Sequence, residues 1–235
     1  MTKNLLLSTA LAAGTMIMAA MPAHAEGNKV WTGVSVMEDS YYAYIGGVRA
    51  FNGDLNKDGM LMRASFGFGS YEYDTVAVAG GEVEADQRSG DIMIGYQWVG
   101  DSDRFAIYVG GAIEDHDLEQ PDPNNGVHGS EGGLKVQADG YLDLMPNVKL
   151  SGLGSYTSAY ETYYTNASLT YDFGMFEFGP EAGFLGNKGF NQNRYGAKLG
   201  VDLGNIDLTL NGGVAVGGRD DDEKAYGGIS LAFSL

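Results

Sequence analysis

From Arg194 to Val216 hydrophobic and polar positions alternate one by one. Tyr195, Ala197, Leu199, Val201 and Leu203 fall on one face, and Arg194, Gly196, Lys198, Gly200 and Asp202 on the other. Gly204-Asn205 interrupts the pattern. Ile206, Leu208, Leu210, Gly212, Val214 and Val216 then resume it against Asp207, Thr209, Asn211 and Gly213. A period of two predicts strands, because successive side chains of a pleated backbone point to opposite faces. A two-residue Gly-Asn link between such runs predicts a tight hairpin. Each arm has the ~9–11 residues that cross a bilayer when tilted, whereas strands of soluble sheets are usually ~5–6 residues long.

The same alternation recurs along the chain. It predicts strands at 29–38, 40–51, 60–73, 88–99, 104–115, 130–143, 148–158, 160–172, 175–185, 194–203 and 206–216, and a last one running to Leu235. The longer connections, 74–87, 116–129, 186–191 and 218–223, all follow odd-numbered strands. The tight ones, 100–103, 144–147, 173–175 and 204–205, all follow even-numbered strands, with the eight-residue link 52–59 as the exception. Long loops at one end and short turns at the other are the habit of outer-membrane barrels. The fold expected is a closed antiparallel up-and-down transmembrane β-barrel of about twelve strands. Closure follows from the solvent, because lipid cannot satisfy an open strand edge. A soluble β-sandwich shares the alternation but accounts less well for so many long strands with Gly, Arg, Lys, Asp and Glu on one face.

The first residues carry a different pattern. Lys3 precedes an apolar run from Leu5 to Ala20, and Ala23-His24-Ala25 is a small-residue cleavage site. Residues 1–25 therefore read as a secretory signal peptide cleaved after Ala25, and residues 26–235 as a single β-barrel domain in the outer membrane. Removing Lys3 leaves 13 basic residues against 31 acidic ones, a net charge of −18. Such a balance argues against nucleic acid as a partner, and the barrel reading makes outer-membrane lipid the expected surroundings. Cysteine is absent, so burial and backbone pairing must hold the fold together. After residue 25 no run reaches the ~18 apolar residues of a transmembrane helix.

Few motifs bear chemistry. Asp54-Leu55-Asn56-Lys57-Asp58-Gly59 matches the first half of a calcium loop, but its twelfth position is Ser65 instead of a bidentate glutamate. An Asp/Asn/Gly-rich turn is expected there. His116 and His128 fall in or beside one predicted loop and are expected to be solvated. His128-Gly129-Ser130 would allow a nucleophile–base pair on one strand face. No catalytic, cofactor-binding or metal-ligating residue is assigned. The polar faces place Arg49, Arg63, Arg104, Lys135, Asp139, Glu177, Glu181, Arg194, Lys198 and Asp202 in the lumen, as a polar path or as charges that satisfy one another. Trp98, Phe105, Phe173 and Phe176 flank tight turns and are the expected aromatic girdle. Tyrosines such as Tyr42, Tyr44, Tyr71 and Tyr164 are placed near the outer ends, where rings can join a girdle or stack on sugars.

Several stretches, taken in order, carry a family resemblance. They include Asp39-Ser40-Tyr41-Tyr42-Ala43-Tyr44, Asn52 to Gly59, Gly95-Tyr96-Gln97-Trp98-Val99 and His116-Asp117-Leu118 with Pro121-Asp122-Pro123. Gly132 to Asp139, Gly154 to Tyr160, and Phe178-Gly179-Pro180-Glu181 followed by Leu185-Gly186-Asn187 complete the set. Through them the chain resembles the cellulose biosynthesis protein BcsS family of alphaproteobacteria. The resemblance implies an outer-membrane-type barrel associated with bacterial cellulose production, with the glucan and components of the synthase complex as partners. It carries over no catalytic residue and no cofactor. Glucan export or surface deposition is the function expected. A general small-solute porin, or a lipid-modifying barrel enzyme using His128 and Ser130, are the alternatives.

Overall fold

The computed structural model describes residues 27–218 and 223–235. The predicted signal peptide and most of the acidic loop at 219–223 lie outside them. Twelve strands are present: β1 Asn28–Met37, β2 Ser40–Ala50, β3 Gly59–Asp74, β4 Glu82–Val99, β5 Asp103–Leu118, β6 Gly129–Met145, β7 Val148–Thr157, β8 Tyr163–Asp172, β9 Phe176–Asn187, β10 Phe190–Asp202, β11 Ile206–Gly217 and β12 Glu223–Ser234. Each pairs antiparallel with its neighbours in sequence, and β1 closes the ring on β12. Closure leaves no edge strand exposed. No helix among the described residues is long and apolar enough to cross a membrane.

Through the middle of the barrel the alternation puts apolar side chains outside and polar ones inside, the inverse of a water-soluble sheet. On β4, Ile92 and Ile94 are exposed while Asp91 and Gln97 are buried. Toward the end with the long loops the sense reverses. Val83, Ala85 and Tyr73 are buried, and Glu72, Asp74, Glu82, Glu84 and Asp86 are exposed. Strands β3 to β6, of 16 to 18 residues, thus rise beyond the apolar band, whereas β7 to β12 have 10 to 13.

This reversal corrects several expected boundaries. The connection at 74–87 contracts to 75–81 and that at 116–129 to 119–128, because the strands continue through acidic alternating stretches that resemble loops in composition. The loop at 186–191 is a two-residue turn, Lys188-Gly189. The strand expected from 160 starts at Tyr163, because Ala159–Glu161 forms a short 3-10 turn with Tyr160 at φ 48° and Glu161 at φ 56°. Arg49 is not in the lumen. Val48 and Ala50 hold the inward positions and Arg49, between them, is exposed on the other face.

The eight-residue link between β2 and β3 is long for its end because it folds inward. Leu55 packs on the interior cluster of Val48, Ala50, Leu61, Met93, Ala106 and Tyr108. The fully buried Gln97 donates to the carbonyls of Leu55, at 2.9 Å, and Lys57, at 2.7 Å. The calcium-like segment is a set of self-capped turns. Asp54 accepts from the amide of Asn56 and pairs with Lys57, and Asp58 accepts from the amide of Val99.

Candidate functional site

Inward side chains surround a central cavity of about 1740 Å³. Its lining reaches Leu55, Asn205 and Leu235 at the short-turn end and Asp39, Asn187 and Gly218 at the long-loop end, so it runs the length of the barrel. The polar residues expected inside fall into two groups. On the β3–β6 wall, Lys135 pairs with Asp91 at 2.7 Å and Arg104 with Asp139 at 3.0 Å. Gln137 joins Arg63 to the second pair, donating to Asp139 and accepting from Arg63, whose guanidinium lies 5.1 Å from the Trp31 ring. On the opposite wall, Lys198 pairs with Glu177 at 2.8 Å, and Lys149 approaches the same carboxylate at 3.8 Å. Glu181 accepts from Asn211 at 2.8 Å and from the Tyr226 hydroxyl at 2.9 Å. Arg194 donates to Gln192 and Ser35 and lies over the Tyr226 ring. Both mouths carry further pairs, Lys29 with Asp207 and Lys224 with Asp39.

Pairing on this scale has a chemical consequence. Lys135, Arg104 and Lys198 are neutralised by carboxylates beside them. Arg63, Arg194 and Glu181 are held by neutral amide and hydroxyl groups. With both signs interspersed, the walls carry no stretch of a single sign among the described residues. What still faces the cavity is hydroxyl, amide and aromatic surface. Among the described residues of these pairs, Asp91 alone keeps an unsatisfied buried oxygen. Its Oδ2 takes both Lys135 and Ser65, while its buried Oδ1 has no hydrogen-bond partner.

The aromatic residues expected in a girdle are outward and exposed, at the short-turn end. Trp98 stacks on Phe105 with ring centroids 5.9 Å apart, and Phe173 on Phe176 at 5.1 Å. The tyrosines divide. Tyr156 is exposed on the outside, but Tyr42, Tyr44 and Tyr164, near the long-loop ends of their strands as expected, line the cavity. Trp31, which the sequence reading did not single out, lines it too. Its signal was present: Trp31 shares the polar face of β1 with Lys29, Gly33 and Ser35, a position where a bulky ring has no lipid to meet.

The long-loop end is tied down. His116 is not in a loop. It is buried on the inward face of β5, with Nδ1 3.1 Å from the Tyr71 hydroxyl and its ring against Tyr160. Tyr160 donates to the carbonyls of His128 and Gly129, and Tyr73 donates to Asp122 and accepts from Asn125. Ser130 donates to Asp115, not to His128. The nucleophile–base pair that residue spacing allowed is therefore not formed.

A family model described as cellulose biosynthesis protein BcsS matches residues 29–235, which covers every strand from β2 to β12 and nearly all of β1. Among curated proteins none matches significantly. Among solved structures, the translocator domain of the autotransporter NalP from Neisseria meningitidis aligns with a TM-score of 0.52 at 13% identity, over 98% of this chain and 95% of that one. The β domain of the Bordetella autotransporter BrkA aligns at 0.53 and 12% identity, over 89% and 99%. A KdgM porin aligns at 0.49 and 12% identity, over 88% and 99%. At such identities the likeness is one of fold, that of an outer-membrane barrel.

Proposed function

The chain belongs to the cellulose biosynthesis protein BcsS family, and on that premise we propose that it is a non-catalytic barrel through which a single glucan chain passes to the cell surface. The observation that carries this reading is the end-to-end cavity, whose wall charges of both signs are tied into ion pairs and hydrogen bonds. Spread over a hydrocarbon core of ~30 Å, about 1740 Å³ averages roughly 60 Å² in cross-section. On average that is the scale of one extended sugar chain, not of a bundle. An uncharged polymer gains nothing from a lumen field of one sign and loses nothing without one. The outward aromatic pairs Trp98–Phe105 and Phe173–Phe176 would hold the short-turn end at the periplasmic headgroups. Outer-membrane lipid and components of the synthase complex are the expected neighbours.

The test is glucan measured in two compartments, periplasm and medium, for a deletion strain and its complemented parent. Export through this barrel requires less surface glucan and more periplasmic glucan in the deletion. Unchanged pools would remove the reading. The cavity also keeps a small-solute porin in view. Planar-bilayer conductance that is steady, and indifferent to added oligosaccharide, would favour that alternative.

A further inference from the structure

The inner wall carries rings laid flat. A Cβ on Gly46 would sit 2.4 Å from the Trp31 ring, one on Gly33 would be 2.5 Å from the Tyr44 hydroxyl, and one on Gly67 would be 2.0 Å from the Tyr42 hydroxyl. Each ring therefore lies across a neighbouring strand at a place where only glycine leaves room. Tyr44 reaches over β1 toward Ser230 of β12. Tyr42 reaches over β3 to Ser89 of β4, at 2.7 Å. Tyr44 and Tyr42, laid along the wall, turn their faces to the cavity. The Trp31 ring carries the Arg63 guanidinium 5.1 Å from its centroid, which a stacked sugar would displace.

These rings occupy successive levels of the wall. In strand register Trp31 is level with Gly46 of β2, Tyr44 and Tyr42 follow on β2 itself, and Tyr71 is level with Ser40. The steps are two residues each, ~6.6 Å along a strand, from the short-turn end toward the long-loop end. The Tyr42 and Tyr44 centroids are 6.3 Å apart with planes 27° from parallel. The facing wall is of another kind. Ser151 and Ser155 of β7 and Asn166 and Ser168 of β8 line it with hydroxyls and amides.

We propose that Trp31, Tyr44, Tyr42 and Tyr71 form a stacking ladder for one uncharged chain of β-linked, all-equatorial hexopyranose, with β7 and β8 hydrogen-bonding its edges. The inference rests on the glucan-passage reading and names the contacts that would make it. Pyranose rings with equatorial substituents have apolar C–H faces and hydroxyl-bearing edges. An aromatic face takes the first, and donors and acceptors opposite take the second. A ladder of successive levels suits a flat ribbon, and the coiled shape of an α-linked glucan brings successive faces out of line.

The experiment uses the refolded protein in detergent micelles. Phe in place of Trp98 leaves Trp31 as the sole tryptophan, since the chain has two. Cellohexaose should change Trp31 emission saturably, and maltohexaose should require at least tenfold higher concentration. Tyr44→Leu should weaken cellohexaose at least tenfold, while Tyr44→Phe, which keeps the ring, should stay within threefold of the parent. A heat-modifiable gel shift confirms that each variant has folded. No emission change with either sugar, equal response to both, or equal loss in the Leu and Phe variants would overturn the ladder. The two proposals fail separately. Normal glucan pools in the deletion with saturable cellohexaose binding would remove export and leave the ladder. An export defect without binding would do the reverse.

Discussion

Strand β4 changes solvent partway along its length. Its lower part shows Ile92 and Ile94 outward and hides Asp91 and Gln97, while its upper part shows Glu82, Glu84 and Asp86 and hides Val83 and Ala85. The parity never slips, because even-numbered residues point out from Glu82 to Trp98. What changes is which chemistry occupies each parity. In the apolar band the outside must be lipid-compatible, so charge retreats to the lumen, where it has to be paired. Above the band water bathes the outside, and apolar residues retreat instead. The comparison teaches that strand geometry and membrane position are written separately in the sequence.

The largest expected effect tests the pairing inside the band. Asp91 is nearly inaccessible and is held by Lys135 and Ser65. Lys135→Met should strand that carboxylate and destabilise the barrel by about 3–5 kcal/mol, the penalty of a buried charge that loses its partner. The double change Lys135→Met/Asp91→Leu should recover most of the loss. Urea unfolding in micelles would show it as two midpoints, one far below and one close to the parent. A double variant no more stable than the single would mean that the pair does not act as a unit.

The next effect separates the two outer surfaces. Ile94→Arg puts a charge on the lipid-facing band and should cost about 2–4 kcal/mol if it lies near the midplane. Glu84→Ala, ten residues up the same face, should stay within about 0.5 kcal/mol, as water-exposed substitutions do. Refolding into lipid vesicles gives both numbers. Similar values for the two would place the apolar band elsewhere along β4.

These contrasts also explain what could be read from the chain alone. Closure, strand number and the polar faces followed from a period of two and from turn lengths, both of which are local. The reversal above the band did not, because Glu82 to Gln87 is as polar as a loop, and only pairing with β3 and β5 reveals a strand. The tyrosines of β2 lie near the outer end as expected, but which face they take came only from register with β1, which sets Tyr42 and Tyr44 opposite Ser35 and Gly33, inside. Arg49 was misplaced by its charge, since the inward positions beside it belong to Val48 and Ala50. The ladder was the least legible feature. Its rungs come from three strands, and its glycines, Gly33, Gly46 and Gly67, lie on strands other than those of the rings they accommodate.

The smallest effect probes the water-bathed extension itself. There Glu72 stands directly across from Glu84, and Asp74 from Glu82, like charges in cross-strand register. Such pairs oppose association of the strands, and only the surrounding water makes them tolerable. Glu72→Lys replaces one repulsion by an attraction and should stabilise the extension by about 0.2–1 kcal/mol. Amide exchange on the upper ends of β3 and β4 would read this as slower local opening, with the band unchanged. The gain should shrink at 1 M salt, where screening falls to about 3 Å. A gain that persists there would have a cause other than charge. A loss would show that the carboxylate at residue 72 supports the fold, so that the acidic face could not be explained by solubility alone.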